Sequence, residues 1–334
     1  MTTSNDTSKA IVVVPTASIA SLAGELDRAA EYQRFSKAEA TQRAYKADWK
    51  RFCEWAAERG VQTLPASPET VVAHLVWLAD TKKAKKATIG RFMSSAHHFH
   101  TEAGLEFPSN SVAVRSTLSG IRRKLKGQQK KRTPLTLEML TAICERLAAT
   151  DATFRIRALL AVGWWAVLRS DSLIAIRRSH LEFVPEGLVI HLPASKTDQE
   201  GKGRDVGVEA QQNQAVCPVR LLREYLQIVR PGPDDLVFDM SKRTVSRIVK
   251  RVVADPAHGH KSLPQIEKCP ECSAIASSFG SHSLRRGIAT TLAEKGFSEE
   301  VIMAHGGWKN ANVARGYVDR ANLFKNNPTK GLAK

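Results

Sequence analysis

The chain has 334 residues, 43% hydrophobic and 25% charged, which is the composition of a globular protein long enough for two domains with full cores. Its 50 Lys and Arg against 33 Asp and Glu leave a net charge of +17, pointing to a polyanionic partner, nucleic acid before an acidic membrane. The longest apolar stretch, "ALLAVGWWAVL" (Ala158 to Leu168), is far short of the roughly 18 residues a spanning helix needs, and "IVVVP" is too short for a signal peptide's apolar core.

Five scattered cysteines, an odd number, fit a reducing compartment, so the expectation is a cytoplasmic, nucleoid-associated protein with no membrane partner. Residues 1–32 are rich in Ser, Thr and Ala without a sustained period and read as a flexible arm, with a short helical set near "SLAGELDRAAEY". From residue 33 the pattern turns helical, with Tyr45, Trp49, Phe52 and Trp55 at three- and four-residue spacing. In "SPETVVAHLVWLAD", Ser67 is placed to cap a helix that Pro68 begins. "KKATIGRFMSSAHHFHTEAG" and "NSVAVRSTLSGIRRKLKG" complete a cluster of about four helices over residues 33–126. The twelve residues from Ile121 to Arg132 hold seven basic side chains and no acid, so residues 127–135 read as a basic linker.

A second domain is expected over 136–320. Thr136 caps "LEMLTAICERL", and a buried helix ending at Arg169 follows. The alternation and Gly/Asp punctuation of "LEFVPEGLVIHLPASKTDQEGKGRDVGVEA" predict two or three short antiparallel strands with Lys196 at a hairpin tip. Helices resume at "VCPVRLLREYLQIV" and "SKRTVSRIVKRVV", residues 254–280 read as irregular, and "SHSLRRGIATTLAEKG" is helical. Residues 321–334 form a tail. The fold class is mainly α with a small antiparallel sheet, in two domains that would clamp DNA.

Several residues could carry chemistry. His282 and Arg285 stand i, i+3 at a helix start, where one anionic ligand could meet both. Arg169 follows a strongly apolar helix and needs a partner, either a phosphate or a carboxylate such as Asp171. Lys196 is either solvated or an ammonium that reaches a leaving-group oxygen. Trp308 and Tyr317 lie nine residues apart in "HGGWKNANVARGYVDR", so one unbroken helix would point them to opposite faces. Either they pack independently, or the chain bends to bring them together.

The order and spacing of Arg169, Lys196, His282-x-x-Arg285, Trp308 and Tyr317 resemble those of the tyrosine recombinase (phage integrase) family, over residues 30 to 325. "IMAHGGWKNANVARGYV" is most similar to the Cre-type branch, which has Trp where most members have a second His; His305 lies twelve residues before Tyr317, so the spacing selects Trp308. The resemblance implies that Trp308 and Tyr317 come from two successive short helices facing one phosphate, with bends at Gly306, Gly307 and Gly316. It implies Tyr317 as nucleophile, a 3′-phosphotyrosyl intermediate, Lys196 protonating the 5′-oxygen and His282 assisting proton movement. Arg169 and Arg285 would stabilise the developing charge where other enzymes use a metal, so no cofactor, nucleotide or metal is expected in the chemistry. It further implies a homotetramer on two paired inverted-repeat DNA sites, exchange through a Holliday junction, and a tail that docks on a neighbouring subunit. One departure stands out: most relatives carry an acid three residues after the first arginine, and this chain has Ser172.

The expected DNA-contacting residues are Arg43, Lys46, Lys86, Thr88, Arg91, Arg122, Arg123, Lys131 and Arg132 in the first domain and linker, and Arg243 and Arg247 in the second. The double Trp, Trp164 and Trp165, reads as core. "CPEC" (Cys269, Cys272) supplies half of a zinc site and His258 and His260 lie upstream, but the spacing is not a standard one and the cysteines read as unliganded loop residues. A rival enzyme, a topoisomerase IB-like or telomere-resolving nicking–closing enzyme, uses the same residues. A rival of another class is a non-catalytic DNA-binding protein of recombinase descent, whose mark would be a lost nucleophile or arginine, and none is missing here.

Overall fold

The computed structural model describes residues 37–125, 131–147, 151–193, 203–254, 256–260 and 262–322, with isolated positions between 22 and 32. Lys196, most of the 1–32 arm and residues 323–334 of the tail lie outside them. The chain divides between Gln128 and Gln129 into two compact units.

The first unit has four helices: α1 (Glu39–Ala57), α2 (Pro68–Val76), α3 (Lys86–Glu102) and α4 (Val112–Lys124). Ser67 caps α2 by accepting from the Thr70 N–H, and Pro68 opens it, as the sequence predicts. A π turn over Trp77–Thr81 extends α2 before the four-lysine segment. The core gathers Phe52, Trp55, Val71, Leu75, Ile89 and Phe92. α1 and α3 are tied by Arg91, whose Nε and Nη2 reach the two carboxylate oxygens of buried Asp48 at 2.6 and 2.9 Å.

His74 is buried among Phe52, Trp55 and Phe92, and its Nδ1 has no hydrogen-bond partner. Burial, reinforced by Arg51 and Arg59, pushes its pKa down to about 3. The unfolded chain therefore takes up a proton near pH 6.5 that the folded unit refuses, and stability falls with pH below that value. Between pH 7 and pH 5 this one group is expected to cost about 2 kcal/mol. Chemical denaturation of the full chain at both pH values, read by exchange at α2 and α3 amides, should show that loss, and His74→Leu should remove most of it.

The second unit is built on α6 (Asp151–Trp165), which the apolar run Ala158 to Trp164 buries on all sides. Thr136 caps α5 (Leu137–Arg146) by accepting from the Met139 N–H. On one side of α6 lie α8 (Pro218–Val229) and a three-stranded antiparallel sheet in the order β1-β2-β3, comprising Leu181–Val184, Gly187–Leu192 and Arg204–Glu209. Leu181 pairs with Ile190, and Leu192 with Arg204. On the other side lie α12 (His282–Glu294) and α14 (Ala311–Asn322). Trp164 donates to the Leu135 carbonyl at 2.8 Å and Trp165 to that of Val216 at 3.0 Å, which makes the double Trp part of the core.

Three local expectations change. Arg169 does not end α6; the helix stops at Trp165, Val167 turns the chain at φ +52°, and Arg169 becomes the N-cap of the short α7 (Ser170–Ile174). Residues 254–280 are not irregular throughout: Pro264 and Pro270 each stand in the first turn of a helix, α10 (Leu263–Lys268) and α11 (Pro270–Ser278). Both are too short to display a period. The cysteines therefore leave the loop, with Cys269 capping α11 and Cys272 buried in its first turn. Between these elements, α9 (Lys242–Val252) and α13 (Glu299–Gly306) complete the unit.

Candidate active site

α12 carries Arg285 and Arg286 into the core because residues 283 to 289 are all buried. That depth requires Gly287: a Cβ there would stand 1.8 Å from the Leu135 carbonyl oxygen. Arg285 is 1% exposed and donates to the Val167 carbonyl and, at 2.7 Å, to the Gly306 carbonyl. Its guanidinium thus joins the turn after α6 to the end of α13 and lies 4.0 Å from the Trp308 ring centroid.

The chain bends between Trp308 and Tyr317, but not as two helices. Trp308 sits in the loop after α13, and Tyr317 in α14. Gly307, just before Trp308, ends α13 at φ +60°, and residues 308–310 carry the chain round into α14; the Trp308 ring occupies the space of a Gly306 Cβ, 1.9 Å away. Gly316 makes no bend; it lies within α14. The two rings come to 5.9 Å between centroids, both nearly buried, and the Arg286 guanidinium lies 5.2 Å from the Tyr317 ring. His305 faces elsewhere, its Nε2 2.8 Å from the Trp165 carbonyl oxygen.

In front of Arg285 and Trp308 opens a cavity of about 330 Å³ whose wall includes Arg169, Ser172, Arg204 and Lys309. Pro193 and Gly203, the two ends of the segment that carries Lys196, line it as well. Arg204 begins β3 and donates to the His305 carbonyl at 3.1 Å. Nothing local in the sequence marks Arg204 or Lys309; only the sheet register and the α13 turn bring them here. Ser172 faces the cavity, whereas Asp171 pairs with Lys242 at 2.7 Å.

The electrostatics are those of an anion site. Burial, then Arg169 and Arg204, lower the Arg285 pKa to about 9, with Tyr317 alone acting the other way. Burial and Arg169 lower that of Arg204 too. Three guanidinium groups that disfavour one another's charge are a cost that a bound anion relieves. His282 opens α12 with its ring reachable from solvent. Desolvation by the surrounding protein, then Arg285, Arg286 and Arg169, hold its pKa below the ordinary value, so its imidazole is neutral at pH 7.

The expected DNA-contacting residues lie on several elements of the two units. Arg43 and Lys46 lie exposed on α1, Arg43 pairing with Glu39 at 2.9 Å. Lys86 and Thr88 open α3, and Arg91 is held by Asp48. Arg122 and Arg123 are exposed in the last turn of α4. Lys131 is exposed and Arg132 donates to the Ser277 carbonyl. Arg243 and Arg247 are exposed on α9, opposite its buried Val245 and Val249.

Residues 133–323 match the model of the phage integrase family, and residues 32–106 that of the phage integrase N-terminal SAM-like domain. The chain is 30% identical over 310 residues to an integrase/recombinase xerD homolog of Selenomonas ruminantium, covering 87% of this chain and 85% of that protein. To the recombinase cre of Escherichia phage P1 it is 24% identical over 290 residues, 80% of each chain. The Tn1549 transposon integrase, solved in complex with transposon right end DNA, shares the fold at a TM-score of 0.56 and 13% identity, over 90% of this chain and 98% of that one. Among the described residues, no helix is long and apolar enough to cross a membrane.

Proposed function

The chain belongs to the phage integrase family, and from that premise we propose that its arginine-walled cavity receives the scissile phosphate of a DNA site that Tyr317 attacks. It is a site-specific tyrosine recombinase, an enzyme that cleaves and rejoins DNA. The observation that carries the finer reading is the convergence of Arg169, Arg204 and Arg285 on one cavity, with Trp308 at its wall and Tyr317 behind.

The Tyr317 oxygen forms a bond to phosphorus as the bond to the 5′-oxygen breaks, leaving a 3′-phosphotyrosyl link. Arg169 and Arg285 stabilise the charge that develops on the non-bridging oxygens. Trp308 donates its single indole N–H to one of them and moves no proton. Neutral His282 is available to take the tyrosine proton, and Lys196 supplies the proton that the departing 5′-oxygen needs. The covalent link keeps the phosphodiester's energy, so a second strand's 5′-hydroxyl reverses the step without ATP.

Backbone contacts fall to Lys86 and Thr88 on α3 and to Arg243 and Arg247 on α9. The reaction is proposed to run in a homotetramer on two inverted-repeat sites, through a Holliday junction, in the nucleoid. A covalent-capture experiment tests this: the chain is mixed with host DNA, denatured in detergent, and the protein-linked ends are sequenced. Two DNAs carrying the trapped site should then exchange strands at equal rates with and without added Mg²⁺ and ATP. Relaxation of supercoils without exchange would favour a nicking–closing enzyme, and strict Mg²⁺ dependence would remove the arginines as sole charge stabilisers.

A further inference from the structure

The segment between α9 and α12 has a poor core of its own. Among its described residues the buried ones that cluster with each other are Ala254, Ile266, Cys272 and Ala276, whereas Phe279 belongs to the main core, and it contains α-helices of six and nine residues. So little apolar area, in helices so short, does not hold a segment rigid. Yet this segment does a fixed job. From its C-terminal end, the Ser277 and Ser278 carbonyls accept from the Arg132 guanidinium and the Thr133 N–H, and the chain then passes directly into His282.

Within it, His258, His260, Cys269 and Cys272 bring one ligand atom each into a group whose members all lie within 4.8 Å of one another. His258 Nδ1 lies 3.3 Å from the Cys269 sulfur and 3.2 Å from the Cys272 sulfur. A tetrahedral zinc ion with Zn–S of about 2.3 Å and Zn–N of about 2.0 Å sets its S···N edges at about 3.5 Å, so these two edges need only a slight expansion, and a pair as wide as 4.8 Å would close in by about 1 Å. Two further features point to a ligand. His258 presents its other nitrogen, Nε2, to Glu271 at 3.3 Å, the outer carboxylate that orients a metal-bound imidazole. His260 Nε2 is buried with no hydrogen-bond partner. Gly259 turns at φ +63° between the two histidines, and their rings stand 5.8 Å apart at 83°. We propose that His258, His260, Cys269 and Cys272 bind one structural zinc ion that staples α10 and α11 and so fixes the entry to the His282 helix. Two thiolates and two imidazoles in a closed tetrahedron select zinc over magnesium or calcium, and leave no open position for catalysis.

The full chain, purified with a reductant that does not chelate metal and passed through a desalting column, should carry about one zinc ion by mass spectrometry of the metal. Cys269→Ser with Cys272→Ser should carry less than about one tenth of that. Because that variant could unfold, the unaltered chain is also reloaded with cobalt. Thiolate-to-cobalt charge transfer together with intense tetrahedral d–d bands is the expected spectrum. Amide exchange over residues 263–283 should rise at least about tenfold when the metal is stripped. A reduced, zinc-incubated chain that retains no metal would overturn the proposal. So would cobalt bands without thiolate charge transfer, or a Cys269–Cys272 disulfide as the stable form in the reducing buffer.

Discussion

Tyr317→Phe is expected to abolish covalent capture of DNA, lowering cleavage by at least roughly 10⁴-fold while DNA affinity stays within about threefold. The hydroxyl is the only atom group removed, and the ring keeps its place between Trp308 and Arg286. The fold should therefore change by less than about 1 kcal/mol. Binding is measured by gel shift on the captured site and cleavage by single-turnover assay on the same DNA. Adducts formed by the Phe variant at the parental rate would remove Tyr317 from the chemistry, and loss of binding alongside cleavage would make the ring a structural element instead.

Arg285→Lys should lower single-turnover cleavage about 10²–10³-fold on saturating DNA. Lysine keeps the charge but loses the planar fork that joins the Val167 and Gly306 carbonyls and stacks on Trp308. Arg285→Ala removes the charge too. It leaves both carbonyls without this donor in a site 1% exposed, so a loss of about 3 kcal/mol or more is expected with the activity. The lysine variant is the informative one: a folded chain that binds DNA and cleaves at the parental rate would refute the assignment.

Much of this protein is legible locally. Ser67 and Thr136 start their helices by accepting from N–H groups three residues away, Pro68 fits the first helical position, and alternation at residues 181–210 is enough to predict strands. Local signals act within one turn of the chain, and so survive any tertiary arrangement. The order of Arg169, His282, Arg285, Trp308 and Tyr317 is likewise a property of the chain and carried the family resemblance.

The sequence did not reveal what depends on distant segments. Arg204 enters the cavity because β3 pairs with β2 and its guanidinium meets the His305 carbonyl, about a hundred residues away in sequence. Arg286 reaches the Tyr317 ring only because Gly287 lets α12 press against Leu135. Arg169 was expected at a helix end, yet the turn at Val167, held through its carbonyl by Arg285, makes it a cap. In the sequence the two histidines and two cysteines stand at a spacing that is not a standard zinc pattern, so the cysteines read as unliganded loop residues; two short helices, each with a proline in its first turn, fold all four onto one point. Composition and order determined that this chain handles DNA and with which residue types. Long-range packing, which no local period encodes, decided how many arginines share one cavity and where a metal could sit.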